Sequence, residues 1–137
     1  MVSVPVIPSD NTVSAVFPGV AAIYEWNPVS KCYTVPATIE PDKGYLVAVT
    51  EDMTISVTGT PVTNWTGDIT AGWNMIGSVF ADATIGDPDD NPDGSVESFA
   101  YWWDPVGRNY VFTTDIEPGR AYLVAATQDC TLTMSSP

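Results

Sequence analysis

The chain has 137 residues, of which 17 are acidic, 4 are basic and none is histidine, for a formal net charge of −13. That balance excludes a phosphate-neutralising surface for nucleic acid or anionic lipid. The missing histidine removes Ser-His-Asp and Cys-His nucleophilic systems and histidine-based zinc sites.

With 45% hydrophobic residues and five Trp, the chain can fill a core. No apolar run approaches the roughly 20 residues of a membrane-spanning helix, so no membrane insertion is expected. The acidity itself has two readings, solubility in a salty medium or cation binding.

The elements follow in chain order. Residues 1–7 alternate with valines and predict a strand. Ser9-Asp10-Asn11 offers caps for a helical turn from Thr12 to Phe17, which Pro18-Gly19 ends. Ala21–Trp26 and Cys32–Val35 predict a hairpin around Asn27-Pro28-Val29-Ser30, a type I pattern of Asx first and Pro second. After the turn Glu40-Pro41-Asp42-Lys43, a strand is predicted from Tyr45 to Thr50. Met53, Ile55 and Val57 then alternate with polar residues like a half-buried strand. Residues 66–80 predict two strands flanking Ala71-Gly72.

From Tyr101 the pattern returns. Tyr24 to Thr54 lies over Tyr101 to Thr131 at a constant offset of 77, with 15 identities in 31 positions. Chance would give roughly two. The second hairpin turns at Asp104-Pro105-Val106-Gly107. Gly119 in Glu117-Pro118-Gly119-Arg120 is placed for the positive φ of a type II turn. Upstream, Met1-Val2-Ser3-Val4 resembles Met75-Ile76-Gly77-Ser78-Val79 at an offset of 74, so the second copy carries about three extra residues before Tyr101.

The expected fold is all-β: an internally duplicated small barrel or sandwich of about ten short strands with pseudo-two-fold symmetry. Residues 1–61 form the first repeat, 71–137 the second and 62–70 a linking strand, within one domain whose halves cover each other's apolar faces. Strand parity turns Cys130 inward with Leu132 and Met134 and Cys32 outward, which speaks against a bridge between them.

Two features belong to one copy only and are therefore candidate sites. The first is the acidic loop from Asp87 to Glu97. Asp89, Asn91, Asp93 and Gly94 match the first, third, fifth and sixth positions of a D-x-[DN]-x-[DN]-G calcium loop, and Asp87 and Glu97 flank them. Ala100 stands where the closing Glu belongs, and Pro92 sits inside the loop. The competing reading is a solvated acidic turn that the fold does not require. The second is Trp102, which replaces Glu25 and faces away from Tyr101 and Trp103; Trp65, in the linking segment, is another. An outward Trp is a platform for a sugar ring or a partner, or else a cover for neighbouring chain. The recurring aromatics, Trp26 and Tyr33 with Trp103 and Tyr110, are assigned to the framework. Asn64-Trp65-Thr66 is formally a glycosylation sequon.

Gly72-Trp73-Asn74-Met75-Ile76-Gly77, Tyr101-Trp102-Trp103-Asp104-Pro105 and Ile116-Glu117-Pro118-Gly119-Arg120-Ala121-Tyr122-Leu123-Val124 together resemble the "GWNLIS…P, Y-x-W-D-P, I-x-P-G-x-G-Y-W-V" β-modules of bacterial and archaeal secreted and cell-surface proteins. The resemblance covers nearly the whole chain, twice. It departs at Ala121, where those modules carry a second Gly, and at Leu46 and Leu123, where they carry Trp.

The resemblance implies an extracellular or cell-surface accessory module whose partners are neighbouring domains of a parent protein. Met1 aligns with Met75, without an equivalent of Gly72-Trp73-Asn74 before it, so the chain is expected to be cut from a longer protein inside a repeat, or else to have its open edge completed by another chain. No cofactor is expected other than calcium at the acidic loop. Two functions are expected. One is a non-catalytic structural or interaction module. The other is a carbohydrate-binding module for a polysaccharide, assisted by calcium, attached to a secreted hydrolase.

Overall fold

Pro, Gly and Asx punctuate the chain so closely that strands stay short. The structure is a computed structural model and describes residues 1–137. The first half holds β1 (Val6–Ile7), α1 (Val13–Val16), β2 (Ala22–Asn27), β3 (Cys32–Thr34) and β4 (Tyr45–Ala48). Then come β5 (Thr60–Pro61), β6 (Asn64–Ile69), β7 (Gly72–Ile76), β8 (Ala83–Thr84) and β9 (Asp89–Asn91). The chain closes with β10 (Ala100–Asp104), β11 (Asn109–Thr113), β12 (Asp115–Ile116), β13 (Tyr122–Ala126) and β14 (Cys130–Ser135). Ten strands have three residues or more and four have two, so the all-β expectation holds. The single helical turn is where it was expected. Asp10 Oδ1 accepts the Thr12 N–H at 3.0 Å and the Thr12 hydroxyl at 2.8 Å just before it.

The repeated sequence makes a repeated three-stranded motif. β2 pairs with β3 and β4, and β10 pairs with β11 and β13, all antiparallel. Trp26 lies opposite Tyr33 and Trp103 opposite Tyr110. In both copies a buried tyrosine hydroxyl ties down the turn that precedes it: Tyr45 accepts the Glu40 N–H and Tyr122 the Glu117 N–H, each at 2.8 Å. Gly119 has φ +84° in a turn closed by the Arg120 N–H to the Glu117 carbonyl, as the sequence predicts. In both hairpin turns the residue after the four-residue turn, Lys31 and Arg108, takes a positive φ.

The copies meet by exchanging backbone hydrogen bonds reciprocally. Ser3 N–H donates to the Gly119 carbonyl, and Gly77 N–H to the Asp42 carbonyl, both at 2.9 Å. Val2 bridges Tyr45 and Arg120, while Ile76 bridges Lys43 and pairs with Tyr122. Two buried serines complete the seam. Ser3 donates its hydroxyl to the Arg120 carbonyl at 2.7 Å, so in the 2.8 Å contact between the two hydroxyls Ser78 is the donor. Ser78 Oγ in turn accepts the Gly119 N–H at 2.9 Å.

The apolar interior falls into two clusters instead of one shared layer. The smaller contains Val4, Val16, Phe17, Ile23, Ile39 and Tyr45. The larger contains Trp65, Ile76, Ile85, Ala100, Tyr122 and Leu132 among fifteen residues. The difference in size follows from strand partners. β14 lies between β6 and β9; the segment of β6 has no counterpart in the first copy, and the first-copy stretch before β2 forms α1 where the second copy forms β9. The strand predicted at Met53–Val57, equivalent to the start of β14, therefore has nothing to pair with and forms no ladder. Its alternation survives, because Ile55 and Val57 still pack on the smaller cluster. Cys130 is buried and Cys32 exposed, and the two are unbridged. Desolvation pushes the Cys130 thiol pKa up, and the Asp90 carboxylate adds to the shift.

Candidate ligand-binding surface

Neither of the two predicted Trp platforms is open. Trp65, opposite Met134 in the β6–β14 pair, is only 7% exposed, and its Nε1–H has no hydrogen-bond partner. Trp102 shares the inner face of β10 with Ala100, which is fully buried, and packs against the larger cluster. Its outer side is covered by the Arg120 guanidinium, 4.1 Å from the ring centroid and held by Glu117 at 2.9 Å. Trp102 does face away from Tyr101 and Trp103, but that direction is inward. Alternation could not say so, because both faces of this strand are apolar and a strand pattern fixes the two faces without saying which is the core.

The acidic loop is organised as backbone, not as a cage. Asp89 to Asn91 is β9, extended along β14 in the register Asp89↔Thr133, Asp90↔Leu132, Asn91↔Thr131. Asp87, Asp89, Asn91, Asp93 and Glu97 are all exposed. No three carboxylates or thiols of the chain gather where an ion could be held. An EF-type loop instead curls its alternate side chains onto one centre. The residue that does the work is Asp90, left out of the predicted ligand set. Its carboxylate accepts the Val96 N–H at 2.6 Å and the Gly94 N–H at 3.2 Å. The loop thereby presents β9 to β14, so the insertion is part of the fold after all.

The open aromatic surface lies elsewhere. In the sheet β11-β10-β13-β7, Phe112, Tyr101 and Leu123 stand in one row of cross-strand partners. Two residues along β10, Trp103 pairs with Tyr110 on the same face, and Trp73 stands on it from β7. The opposite face carries Ala100, Tyr122 and Val124 into the core. An antiparallel sheet usually presents polar residues outward; this one presents aromatics. Trp73 is 47% exposed, Tyr110 48% and Phe112 60%.

The first copy supplies the other wall. The Trp26 Nε1–H donates to the Trp73 carbonyl at 2.9 Å, which docks the β2–β3 hairpin beside β7. Tyr33 packs edge-on against Trp26 at 5.1 Å and 64°, as Tyr110 does against Trp103 at 5.1 Å and 66°. Between the hairpins runs an open groove of about 520 Å³. Trp26 and Tyr33 come from one copy, and Trp73, Phe99, Tyr101, Tyr110 and Leu123 from the other. Phe99 buttresses it, 5.8 Å from Tyr101 and 5.6 Å from Phe112.

Trp26 also lines a smaller cavity of about 210 Å³, whose wall includes Glu25, Asp42, Lys43, Trp65 and Asp68. Lys43 is 3.7 Å from Glu25, which leaves Asp42 and Asp68 without a basic partner. Aromatic groove and acidic cavity are thus adjacent, divided by one indole.

Sequence reasoning missed this groove because it assigned recurring aromatics to the framework. The comparison of copies did contain a signal. Phe99 and Phe112 stand at the positions of Ala22 and Val35. The second copy is enriched in aromatics on the face that Tyr101 and Trp103 share, the face opposite Trp102. Comparison with protein-family models, curated proteins and solved structures finds no match for this chain.

Proposed function

We propose that the chain is a non-catalytic interaction module of a secreted or cell-surface protein and that its working surface is the aromatic groove between the two hairpins. The single observation behind this reading is the outward aromatic face of a sheet whose other face already fills the core. Folded chains seldom leave such a contiguous apolar patch open unless something covers it. The likeness to the GWN…Y-x-W-D-P modules supports the extracellular setting, where neighbouring domains of a parent protein are the nearest partners. Nothing in the groove suggests a reaction: its walls carry phenols, indoles and hydrocarbon, without a carboxylate pair or an activated nucleophile.

A second reading, carbohydrate binding, moves from Trp102 and Trp65 to this face, because Trp73, Tyr33 and Tyr110 offer ring area to solvent. Affinity electrophoresis through soluble polysaccharides, together with pull-down on cellulose and chitin, tests it. Retardation or capture that Trp73→Ala and Tyr110→Ala abolish, with unchanged unfolding midpoints, supports a sugar-binding face. Retention that both variants leave intact refutes it.

A further inference from the structure

The groove and the cavity beside it differ in chemistry in a way that selects an occupant. The groove's side chains offer few hydrogen-bonding groups, the hydroxyls of Tyr33, Tyr101 and Tyr110 and the Trp73 indole N–H, because the Trp26 N–H is spent on the Trp73 carbonyl. A sugar presents hydroxyls around its whole ring, and those left without partners against hydrocarbon oppose binding. A peptide backbone presents N–H groups at each residue except proline. Proline-bearing segments are also pre-ordered as polyproline II helices, which dock in aromatic-lined grooves at little entropic cost. On the far side of Trp26 lie Asp42 and Asp68, in a protein of net charge −13. Of its four basic residues, Arg120 is engaged by Glu117 and Trp102 and Lys43 by Glu25, while Lys31 and Arg108 sit in the hairpin turns and line neither the groove nor the cavity. The electron-rich ring faces and the neighbouring carboxylates both favour a cationic side chain over a neutral or acidic one.

Resting on the groove as working surface, we infer that its partner is an extended, proline-bearing basic segment of another protein. The prolines lie across Trp73, Tyr101 and Tyr110. An arginine or lysine of the same segment passes Trp26 into the cavity at Asp42 and Asp68. The long-range field of the acidic chain attracts such a segment and repels acidic ones.

The probes are synthetic repeat peptides, Pro-Pro-Arg and Pro-Pro-Glu, and cellohexaose, titrated by calorimetry against the whole chain. The arginine peptide is expected to bind at least about tenfold more tightly than the glutamate one and to weaken as salt is raised. Trp73→Ala weakens it about tenfold or more, as loss of a central aromatic anchor does. Tyr110→Ala is the second groove variant. Asp42→Asn with Asp68→Asn flattens the salt dependence. Unfolding midpoints establish that each variant is folded.

Equal binding of both peptides, or no binding of either, overturns the inference. If cellohexaose alone binds and Trp73→Ala abolishes that binding, the inference fails and the groove remains the working surface. If no probe's binding responds to Trp73→Ala or Tyr110→Ala, both fail together.

Discussion

Gly44→Ala tests the junction between the copies most sharply. Gly44 and Ala121 occupy equivalent positions of the repeat, and the structure sets them against each other. A Cβ at residue 44 would lie 2.5 Å from the Ala121 Cβ, 2.7 Å from Met75 Cγ and 3.0 Å from the Ile76 carbonyl oxygen. Ala121 is fully buried and Met75 nearly so, which leaves little room to yield. Replacing Gly by Ala restricts the unfolded chain and would alone stabilise by about 0.4–1 kcal/mol. Overpacking at a site with two contacts under 3 Å costs about 1–3 kcal/mol, so the net effect is destabilising by about 1–2 kcal/mol.

Urea unfolding followed by tryptophan fluorescence measures it, and thermal unfolding should fall by roughly 3–6 °C for each kcal/mol. Ala121→Gly in the same chain removes the closest contact and should recover part of the loss. The two substitutions must therefore couple by about 0.5 kcal/mol or more. Stability unchanged by Gly44→Ala, or effects that simply add, would refute the contact.

Three other outcomes follow from hydrogen bonds and burial. Ser78→Ala removes a buried hydroxyl and leaves the half-buried Gly119 N–H without its acceptor, and should cost about 1–2 kcal/mol in urea unfolding, with a normal far-ultraviolet spectrum. Asp90→Ala strands the buried Val96 N–H and should cost a similar amount, whereas Asp89→Ala and Asp93→Ala stay within about 0.5 kcal/mol, with or without calcium. Burial raises the phenol pKa values of Tyr45 and Tyr122 above their ordinary value of 10.0. Both hydroxyls stay protonated in the native state while the unfolded chain ionises. Stability is thus fully present below about pH 10 and falls as pH rises beyond it. Tyr45→Phe should shallow that alkaline decline in a urea series taken across pH.

The local framework was legible in the sequence wherever one residue type has one physical use. Pro118-Gly119 set its turn because only Gly takes that φ without strain, and the Pro-centred hairpin turns placed β2, β3, β10 and β11. The repeat carried this reading from one copy to the other. It failed where copies share sequence but not neighbours: Met53–Val57 has the alternation of a strand and no partner. The spacing of the acidic loop fits a calcium loop but gave no sign of Asp90, which stands at a position such a loop leaves unused and turns in to hold the backbone. Trp102 misled for a different reason. Tyr101 and Trp103 on one side of β10 and Ala100 and Trp102 on the other are all apolar, and only the packed sheet decides which side is buried.

The working face itself is tested most directly by following the indole N–H resonances of the five Trp while a polysaccharide or basic proline peptide that binds is added. The account predicts that the Trp73 and Trp26 signals move with saturation while that of Trp102, which lines neither the groove nor the cavity, stays in place. Movement at Trp102 with Trp73 silent would contradict it and move the site to the inner face of β10.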